Sequence, residues 1–112
     1  MNISTDQLPT TITTYLTSHT ARDLDAAMQW YAADAEVADE GKTYRGHDEI
    51  RAWLARAAGE YTYTTDLIGA RQVDDHTYVA THHLEGNFPG GTVDLDFTFT
   101  LEDDVITRLV IA

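Results

Sequence analysis

The stretch Tyr31-Ala-Ala-Asp-Ala-Glu-Val-Ala-Asp-Glu-Gly-Lys-Thr-Tyr-Arg-Gly-His-Asp-Glu-Ile50 decides the fold of this chain. Its pattern predicts, in order, a helix end, a short strand, a tight turn, a second short strand and a new helix start. The segment from Ala35 to Asp39 alternates weakly and is too short for a helix, which favours a strand that ends at Asp39. Glu40-Gly41-Lys42 has turn composition, and Thr43-Tyr44-Arg45 returns the chain.

The segments on either side of this hairpin predict three helices. Ser4 and Gln7 have capping-box spacing, and Pro9 is tolerated in a first helical turn. Asp23 is a favourable N-cap for the second helix. Acidic residues follow Gly46-His47 in the first turn of the third helix, where they favour the helix dipole, and Gly59 is predicted to end it. The apolar faces are Leu8, Ile12, Tyr15, Leu16 and His19, then Leu24, Ala27, Met28 and Tyr31, then Ile50, Trp53, Leu54 and Ala57.

From Tyr61 onwards the apolar period changes to two, which predicts strands. The predicted strands run from Tyr61 to Val73, from His76 to Glu85, from Val93 to Leu101 and from Val105 to Ile111. Three helices, interrupted by one hairpin and followed by four tightly connected strands, predict an α+β fold. In this fold the helices pack on one face of an antiparallel sheet.

Composition narrows the possible partners. The chain has 112 residues, 43% of them hydrophobic, which predicts one folded domain spanning residues 1–112. Its formal net charge of −12 repels phosphate and anionic lipid, so neither nucleic acid nor a membrane is expected as a partner. There is no cysteine and hence no disulfide. No apolar run approaches the ~20 residues needed to span a bilayer, and the N-terminus lacks the features of a secretory signal, so we expect a cytoplasmic protein.

The order of these elements resembles the nuclear transport factor 2-like superfamily, and within it the SnoaL-like small proteins and the ketosteroid isomerases. The resemblance covers essentially the whole chain. It implies that the curved sheet and the three helices enclose a cone-shaped cavity, and that the protein forms a homodimer through the sheet. The matching segments are Arg22-Asp23-Leu24-Asp25, Tyr31 to Val37 leading to Asp39, Tyr44-Arg45-Gly46 with Ile50 and Trp53, Phe88-Pro89-Gly90-Gly91 and the strand from Phe97 to Leu101.

The resemblance also implies roles for individual residues. Asp39 occupies the place of the isomerase general base, and Tyr15, eight residues before Asp23, occupies that of the oxyanion tyrosine. Tyr31 matches the aromatic residue that ends the second helix. Two positions depart from the isomerase pattern. Phe97 stands where an inward acid is expected, with Asp94 and Asp96 on the opposite face, and Leu54 replaces a supporting tyrosine.

Asp39 and Tyr15 are the leading candidates for chemistry. A carboxylate in an apolar cavity has its charged form disfavoured, which would raise its pKa and make it a usable base. The ordinary alternative is an exposed turn acid. Tyr15 lies on the inner helical face and needs a hydroxyl partner, either a ligand carbonyl or Asp39. The ordinary alternative is a core tyrosine bonded to a backbone carbonyl.

The remaining candidates are two histidines and several aromatic residues. His82 has inward strand parity and could relay protons or bond a ligand, or be an ordinary core histidine. His19 lies one turn after Tyr15, near the cavity rim. Trp53 and Phe88 are expected as wall and lid, and the expected ligand-binding residues are thus Tyr31, Trp53, Phe88, Phe97 and His19. His82 and His83 point to opposite faces and cannot chelate one ion, so we expect no metal, and no motif indicates a cofactor.

Three functions are consistent with this sequence. The first is a cofactor-independent isomerase or cyclase that abstracts a proton next to a carbonyl of a hydrophobic substrate. Asp39 would be the base, and Tyr15, with or without His82, would polarise the carbonyl. The second is a module that binds a hydrophobic ligand without turnover, and the third is a dimerisation scaffold. Epoxide-hydrolase chemistry is disfavoured because Arg45, Arg71 and Arg108 do not supply an inward acid–Arg–acid set.

Overall fold

The structure is a computed structural model that describes the backbone of residues 1–60 and 62–112 and the side chains of 1–56 and 62–112. The helical elements are a 3₁₀ turn at Thr5–Gln7, α1 (Thr10–Thr20), α2 (Leu24–Met28) and α3 (Gly46–Glu60). The strands are β1 (Asn2–Ile3), β2 (Tyr31–Asp39), β3 (Lys42–Arg45), β4 (Tyr63–Gln72), β5 (Thr77–Gly86), β6 (Thr92–Glu102) and β7 (Val105–Ile111).

The predicted α+β class is confirmed: three helices pack on a curved, mostly antiparallel sheet. Within the described residues the sheet has seven strands in the order β1-β4-β5-β6-β7-β2-β3, not the four predicted from alternation. The difference has two sources. The β2–β3 hairpin extends the sheet at one edge because β2 pairs in parallel with β7, and the short strand β1, which was not predicted, pairs with β4 at the other edge. A parallel pairing between segments that are distant in the chain leaves no local sequence pattern to detect.

The second helix is shorter than the sequence predicted. Asp23 caps it as expected, its Oδ1 accepting a hydrogen bond from the Ala26 amide at 3.1 Å, but the helix ends at Met28. The prediction that Tyr31 ends this helix is wrong, because Tyr31 is the first residue of β2 and pairs with Ile106 of β7. The Ile106 amide donates to the Trp30 carbonyl at 2.7 Å, so the chain is already paired with β7 where another helical turn would have formed.

The core lies between the concave face of the sheet and the helices. Each large apolar side chain buried here contributes roughly 1.5–3 kcal/mol to folding. The third helix supplies Ile50, Trp53 and Leu54, as predicted, and its backbone continues past Gly59 to Glu60. The predicted burial of the Ala57 side chain and the predicted strand start at Tyr61 lie outside the described residues. The largest fully buried side chains are Tyr15, Phe99, Ile12, Ile50, Ile106, Leu109 and Val37.

The β2–β3 turn places Asp39 at the end of its strand. Asp39 pairs with Lys42, so only Glu40 and Gly41 form the loop, both with positive φ (53° and 77°). Two successive left-handed residues are typical of the tight hairpin turn that matches strand twist, and glycine adopts this conformation without strain. The turn predicted from Glu40-Gly41-Lys42 is therefore confirmed, and it holds the Asp39 backbone beside the start of β3.

Candidate functional site

A cavity of about 390 Å³ opens between the β2–β3 hairpin, α3 and the 86–91 loop. Its volume lies in the range of small-molecule sites, and most of its wall is apolar or aromatic. The charged residues in its wall are Asp39, Glu40 and Arg56. The other lining residues are Tyr44, Trp53, Tyr63, Leu84, Phe88, Pro89, Val93 and Leu95.

Asp39 is partly buried at the wall of this cavity. The Trp53 indole Nε1 donates a hydrogen bond to Asp39 Oδ2 at 3.0 Å. Trp53 is only 3% exposed, so its packing holds the N–H donor and fixes the orientation of the carboxylate. In the described part of the chain, Asp39 Oδ1 has no hydrogen-bond partner, which leaves it available to a molecule in the cavity.

Tyr44 and Arg56 adjoin this carboxylate. The Tyr44 ring stacks on Trp53 with a centroid distance of 6.1 Å and an interplanar angle of 29°. Arg56 Nη2 donates to the Tyr44 hydroxyl oxygen at 2.6 Å, and the Arg56 guanidinium carbon lies 5.4 Å from the Tyr44 ring centroid. Asp39, Trp53, Tyr44 and Arg56 therefore form one connected cluster along the cavity wall.

Tyr15 belongs to a different network, which lies mostly in the interior of the molecule. The Tyr31 hydroxyl donates to the Tyr15 hydroxyl at 2.5 Å, and the Tyr15 hydroxyl lies 3.2 Å from His19 Nδ1. Because the Tyr15 oxygen already accepts from Tyr31, its proton is free to be donated to His19 Nδ1. Burial raises the pKa of both tyrosines well above the ordinary value, so both remain protonated at neutral pH.

His19 connects this interior network to the cavity wall. Its ring centroid lies 6.2 Å from that of Trp53 and 6.1 Å from that of Phe97. Burial lowers the pKa of His19 to about 4, and nearby His82 acts in the same direction. His19 is therefore neutral at pH 7, as an acceptor for the Tyr15 proton must be.

His82 lies inward, as its parity predicted, but borders another space. It is 5% exposed, and its ring lies 4.6 Å from Phe97. Its Nδ1 is buried without a hydrogen-bond partner among the described residues, and burial lowers the pKa of the ring. A crevice of about 530 Å³ between α1 and β4 has His82 in its wall, together with Leu16 and Leu67.

The predicted site residues thus fall into three groups. Asp39, Trp53 and Phe88 share the cavity, whereas Tyr15, Tyr31, His19 and Phe97 pack together in the interior. His82 touches the second group through Phe97 and borders the crevice.

Tyr44 and Arg56 were not predicted from the sequence to line a cavity with Asp39. One signal was available: Tyr44 lies two residues from Lys42, the hairpin partner of Asp39, and so on the same face of the ribbon as Asp39.

The outer face of the sheet, away from the helices, carries the mostly polar side chains of β5 and β6 that alternate with the inward-facing ones. His83 points outward as predicted, and its Nδ1 lies 2.6 Å from Asp94 Oδ1. Hydrogen bonds to Asp94 and Glu85 raise the pKa of His83. In the described residues no group of three His, Asp or Glu side chains is placed to hold a metal ion, and no helix there is long and apolar enough to cross a membrane.

Comparison with known proteins places this geometry in a family. A candidate polyketide cyclase from Sinorhizobium meliloti is 30% identical, with a TM-score of 0.91 over 98% of this chain and 100% of its own. A Catenulispora acidiphila protein with a ketosteroid-isomerase-like fold, solved with trimethylamine, is 18% identical, with a TM-score of 0.81 over 95% of this chain and 86% of its own. A Mycobacterium tuberculosis protein, solved with estradiol-17β-hemisuccinate, is 15% identical, with a TM-score of 0.74 over 90% and 88%.

The two less similar structures support the fold alone. No protein with a curated description matches the sequence. The family model of the SnoaL-like domain matches residues 12–109. This range runs from α1 to β7 and, of these elements, leaves out only the first two residues of α1 and the last two residues of β7. The chain therefore belongs to the SnoaL-like domain family.

Proposed function

We propose that this protein binds a small hydrophobic carbonyl compound in the Asp39 cavity and that Asp39 removes a proton from the carbon next to the carbonyl. The observation that carries the proposal is a carboxylate held by a buried indole N–H in the wall of a largely apolar cavity of about 390 Å³. The reaction class is a cofactor-independent isomerisation or an aldol-type cyclisation.

The arrangement suits proton abstraction for two reasons. The Trp53 N–H binds only Oδ2, so Oδ1 can approach a substrate C–H bond while the carboxylate keeps its orientation. Apolar residues such as Leu84 and Leu95 line the cavity, so a hydrophobic ligand that covers them would displace water, which would strengthen the interaction of a charged base with a polarised substrate. The similarity to a candidate polyketide cyclase at 30% identity points to the same class of chemistry.

Exchange at carbon tests the proposal without knowledge of the natural substrate. The probe is 2-tetralone, a bicyclic ketone with enolisable C–H bonds, in D₂O. Loss of the α-proton signal is followed by ¹H NMR with wild type, Asp39→Asn and Asp34→Asn. Asp34 is an exposed acid of the same strand that does not line the cavity, so its replacement changes the charge equally.

Wild type and Asp34→Asn should accelerate exchange over buffer, and Asp39→Asn should lower the enzymatic rate at least about tenfold, since general bases contribute roughly 10²–10⁴-fold. Equal exchange rates in wild type and Asp39→Asn would exclude Asp39 as the base. Absence of exchange in wild type would exclude proton abstraction from this class of ketone.

A second candidate function is ligand binding without turnover. The observation that favours it is the contact between Tyr15 and His19, because the tyrosine expected to polarise a carbonyl already has an acceptor in the interior. Saturable binding of 2-tetralone, detected by quenching of tryptophan fluorescence, with no exchange above buffer would select this function. Solved proteins of the same fold hold small organic molecules, which is consistent with either function.

We also propose that two copies associate through the outer face of the sheet. The support for this proposal is the resemblance to the nuclear transport factor 2-like superfamily, whose members frequently dimerise through the sheet. Val79, whose parity is outward, is only 3% exposed, so neighbouring side chains already cover it in the single chain and the polar residues around it would form the contact. Light scattering after size exclusion should give twice the monomer mass of 12.5 kDa. Thr98→Arg, a substitution beside Val79 on β6, should then return the monomer.

A further inference from the structure

We propose that Tyr44, supported by Arg56, donates the hydrogen bond to the substrate oxygen on which negative charge develops. This inference rests on the proposed function of Asp39, and it names the other half of the same site. It assigns the substrate class as ketones whose carbonyl oxygen reaches Tyr44 while an adjacent C–H bond reaches Asp39 Oδ1.

Strand register places Tyr44 and Asp39 on one face. Val37 is the direct partner of Tyr44, and Asp39 follows Val37 by two residues, so all three side chains point to the same side of the ribbon. Diagonal neighbours in an antiparallel pair lie roughly 7–8 Å apart, a separation that small ligands span. Trp53 touches both residues, bonding Asp39 through Nε1 and stacking on the Tyr44 ring.

The hydrogen-bond pattern leaves the Tyr44 proton available. Arg56 donates to the Tyr44 oxygen at 2.6 Å, and a guanidinium cannot accept a proton in return. In the described part of the chain, no acceptor contacts the Tyr44 hydroxyl, so its proton can be donated to a molecule in the cavity. The positive charge of Arg56 withdraws electron density from that oxygen, which strengthens the donor.

The alternative donor, Tyr15, is occupied. Its oxygen accepts from Tyr31 and its proton is directed to His19, and Tyr15 itself is 0% exposed. Tyr44 is partly exposed and lines the cavity. The donor that can meet a ligand without rearrangement of the core is therefore Tyr44.

The step balances without another reagent. The Asp39 carboxylate takes the α-proton and becomes a carboxylic acid, while the C–H electron pair forms the enolate double bond and the carbonyl π pair moves to oxygen. That oxygen accepts the Tyr44 hydrogen bond, and no proton leaves Tyr44. The Asp39 acid then returns the proton either to a carbon of the enolate or to the alkoxide that forms when the enolate carbon attacks a second carbonyl.

Two readouts test this assignment, using wild type, Tyr44→Phe, Arg56→Met, Arg56→Lys and Tyr78→Phe. Tyr78 is the matched control because it is a partly buried phenol of β5 that does not line the cavity. The first readout is the affinity for 2-naphthol, whose oxygen resembles an enolate oxygen, relative to naphthalene, which has none. Fluorescence titration of each probe gives this ratio whether or not Asp39 is catalytic.

Tyr44→Phe should weaken 2-naphthol binding at least about fivefold while the affinity for naphthalene changes less than about twofold, and Tyr78→Phe should change neither. The second readout is 2-tetralone exchange. Tyr44→Phe should lower its limiting rate about tenfold or more with little change in half-saturation, as expected for an interaction made in the transition state. Arg56→Met should do the same more weakly, and Arg56→Lys should restore part of the loss, since Arg56 acts through Tyr44 as a positioning residue.

Equal 2-naphthol affinities in wild type and Tyr44→Phe, or no 2-naphthol binding by wild type, would overturn the assignment. The two proposals fail separately. If the wild type prefers 2-naphthol to naphthalene in a way that depends on Tyr44 but does not exchange 2-tetralone, the proposed role of Asp39 is contradicted and that of Tyr44 is supported. If exchange of 2-tetralone depends on Asp39 but not on Tyr44, only the proposed role of Tyr44 is contradicted.

Discussion

Acidification should destabilise the fold through His19. The pKa of this residue is lowered from 6.5 to about 4 in the folded protein, chiefly by burial. Because the folded pKa lies below the unfolded one, the unfolded chain takes up the proton first as pH falls. The stability associated with neutral His19 is therefore complete above about pH 6.5 and is lost progressively towards pH 4.

The pKa shift gives the size of this loss of stability, and the hydrogen bonds of Tyr15 give its cause. From pH 7 to pH 5 the two pKa values predict a fall of about 2 kcal/mol in the free energy of unfolding. His19 keeps part of its surface accessible, so solvent screening reduces this value, and about 1 kcal/mol is a reasonable lower figure. Protonation of Nδ1 removes the acceptor for the Tyr15 hydroxyl, whose oxygen is already bonded by Tyr31.

Urea unfolding followed by tryptophan fluorescence at pH 7 and pH 5 measures this loss. In His19→Asn the amide oxygen can stand near the position of Nδ1 and accept from Tyr15 without titrating. The pH-dependent loss should then shrink by about 1–2 kcal/mol relative to wild type. His76→Gln, at an exposed turn, is the control and should keep the wild-type loss. If wild type and His19→Asn lose equal stability between the two pH values, His19 is not the buried neutral group inferred here.

Four further substitutions test the packing around the site by urea unfolding. Tyr15→Phe should lower the free energy of unfolding by about 1–3 kcal/mol, because it leaves the buried Tyr31 hydroxyl without its acceptor. Tyr31→Phe should lower it by only about 1 kcal/mol. Equal losses would contradict the assignment of Tyr31 as the donor. Gly86→Ala should lower the free energy of unfolding by about 1–3 kcal/mol, because a Cβ there would lie 2.5 Å from the Thr62 carbonyl oxygen. A neutral result would show that the end of β5 and the segment at Thr62 can move apart. Leu109→Ala, at a fully buried position of β7, should cost about 2–5 kcal/mol, and a loss below 1 kcal/mol would mean that the core collapses around the gap.

Local pattern was enough to predict the elements that position Asp39. The turn composition of Glu40-Gly41-Lys42 predicted the hairpin, and the apolar stripe of α3 placed Trp53 inside. Inward parity also put Phe97 and His82 on the concave face. Each of these features depends on residues within a few positions of one another, which is where sequence periodicity carries its information.

Features that depend on distant pairing were not predicted. The parallel pairing of β2 with β7 shortened the second helix and moved Tyr31 into the sheet. The sequence placed His19 one helical turn from Tyr15, but it did not show that His19 would take the hydroxyl proton expected for a ligand. A hydrogen bond of this kind is decided by which side chains seal the space around it, and that depends on the whole fold.

The separation of the two polar clusters explains how a site can exist without the interior donor of the isomerase pattern. Phe97 stands where that pattern has an acid, and its ring fills the space between His19 and His82. With Tyr15 bonded to His19, the hydroxyl proton of Tyr15 is not free to meet a ligand in the interior. In the proposed mechanism, Asp39 supplies the base and Tyr44 the donor from one wall of the cavity, and Trp53 contacts both residues. Chemistry there needs a substrate that reaches the hairpin, not one that enters the core, and that is why the ketone probes should distinguish Tyr44 from Tyr15.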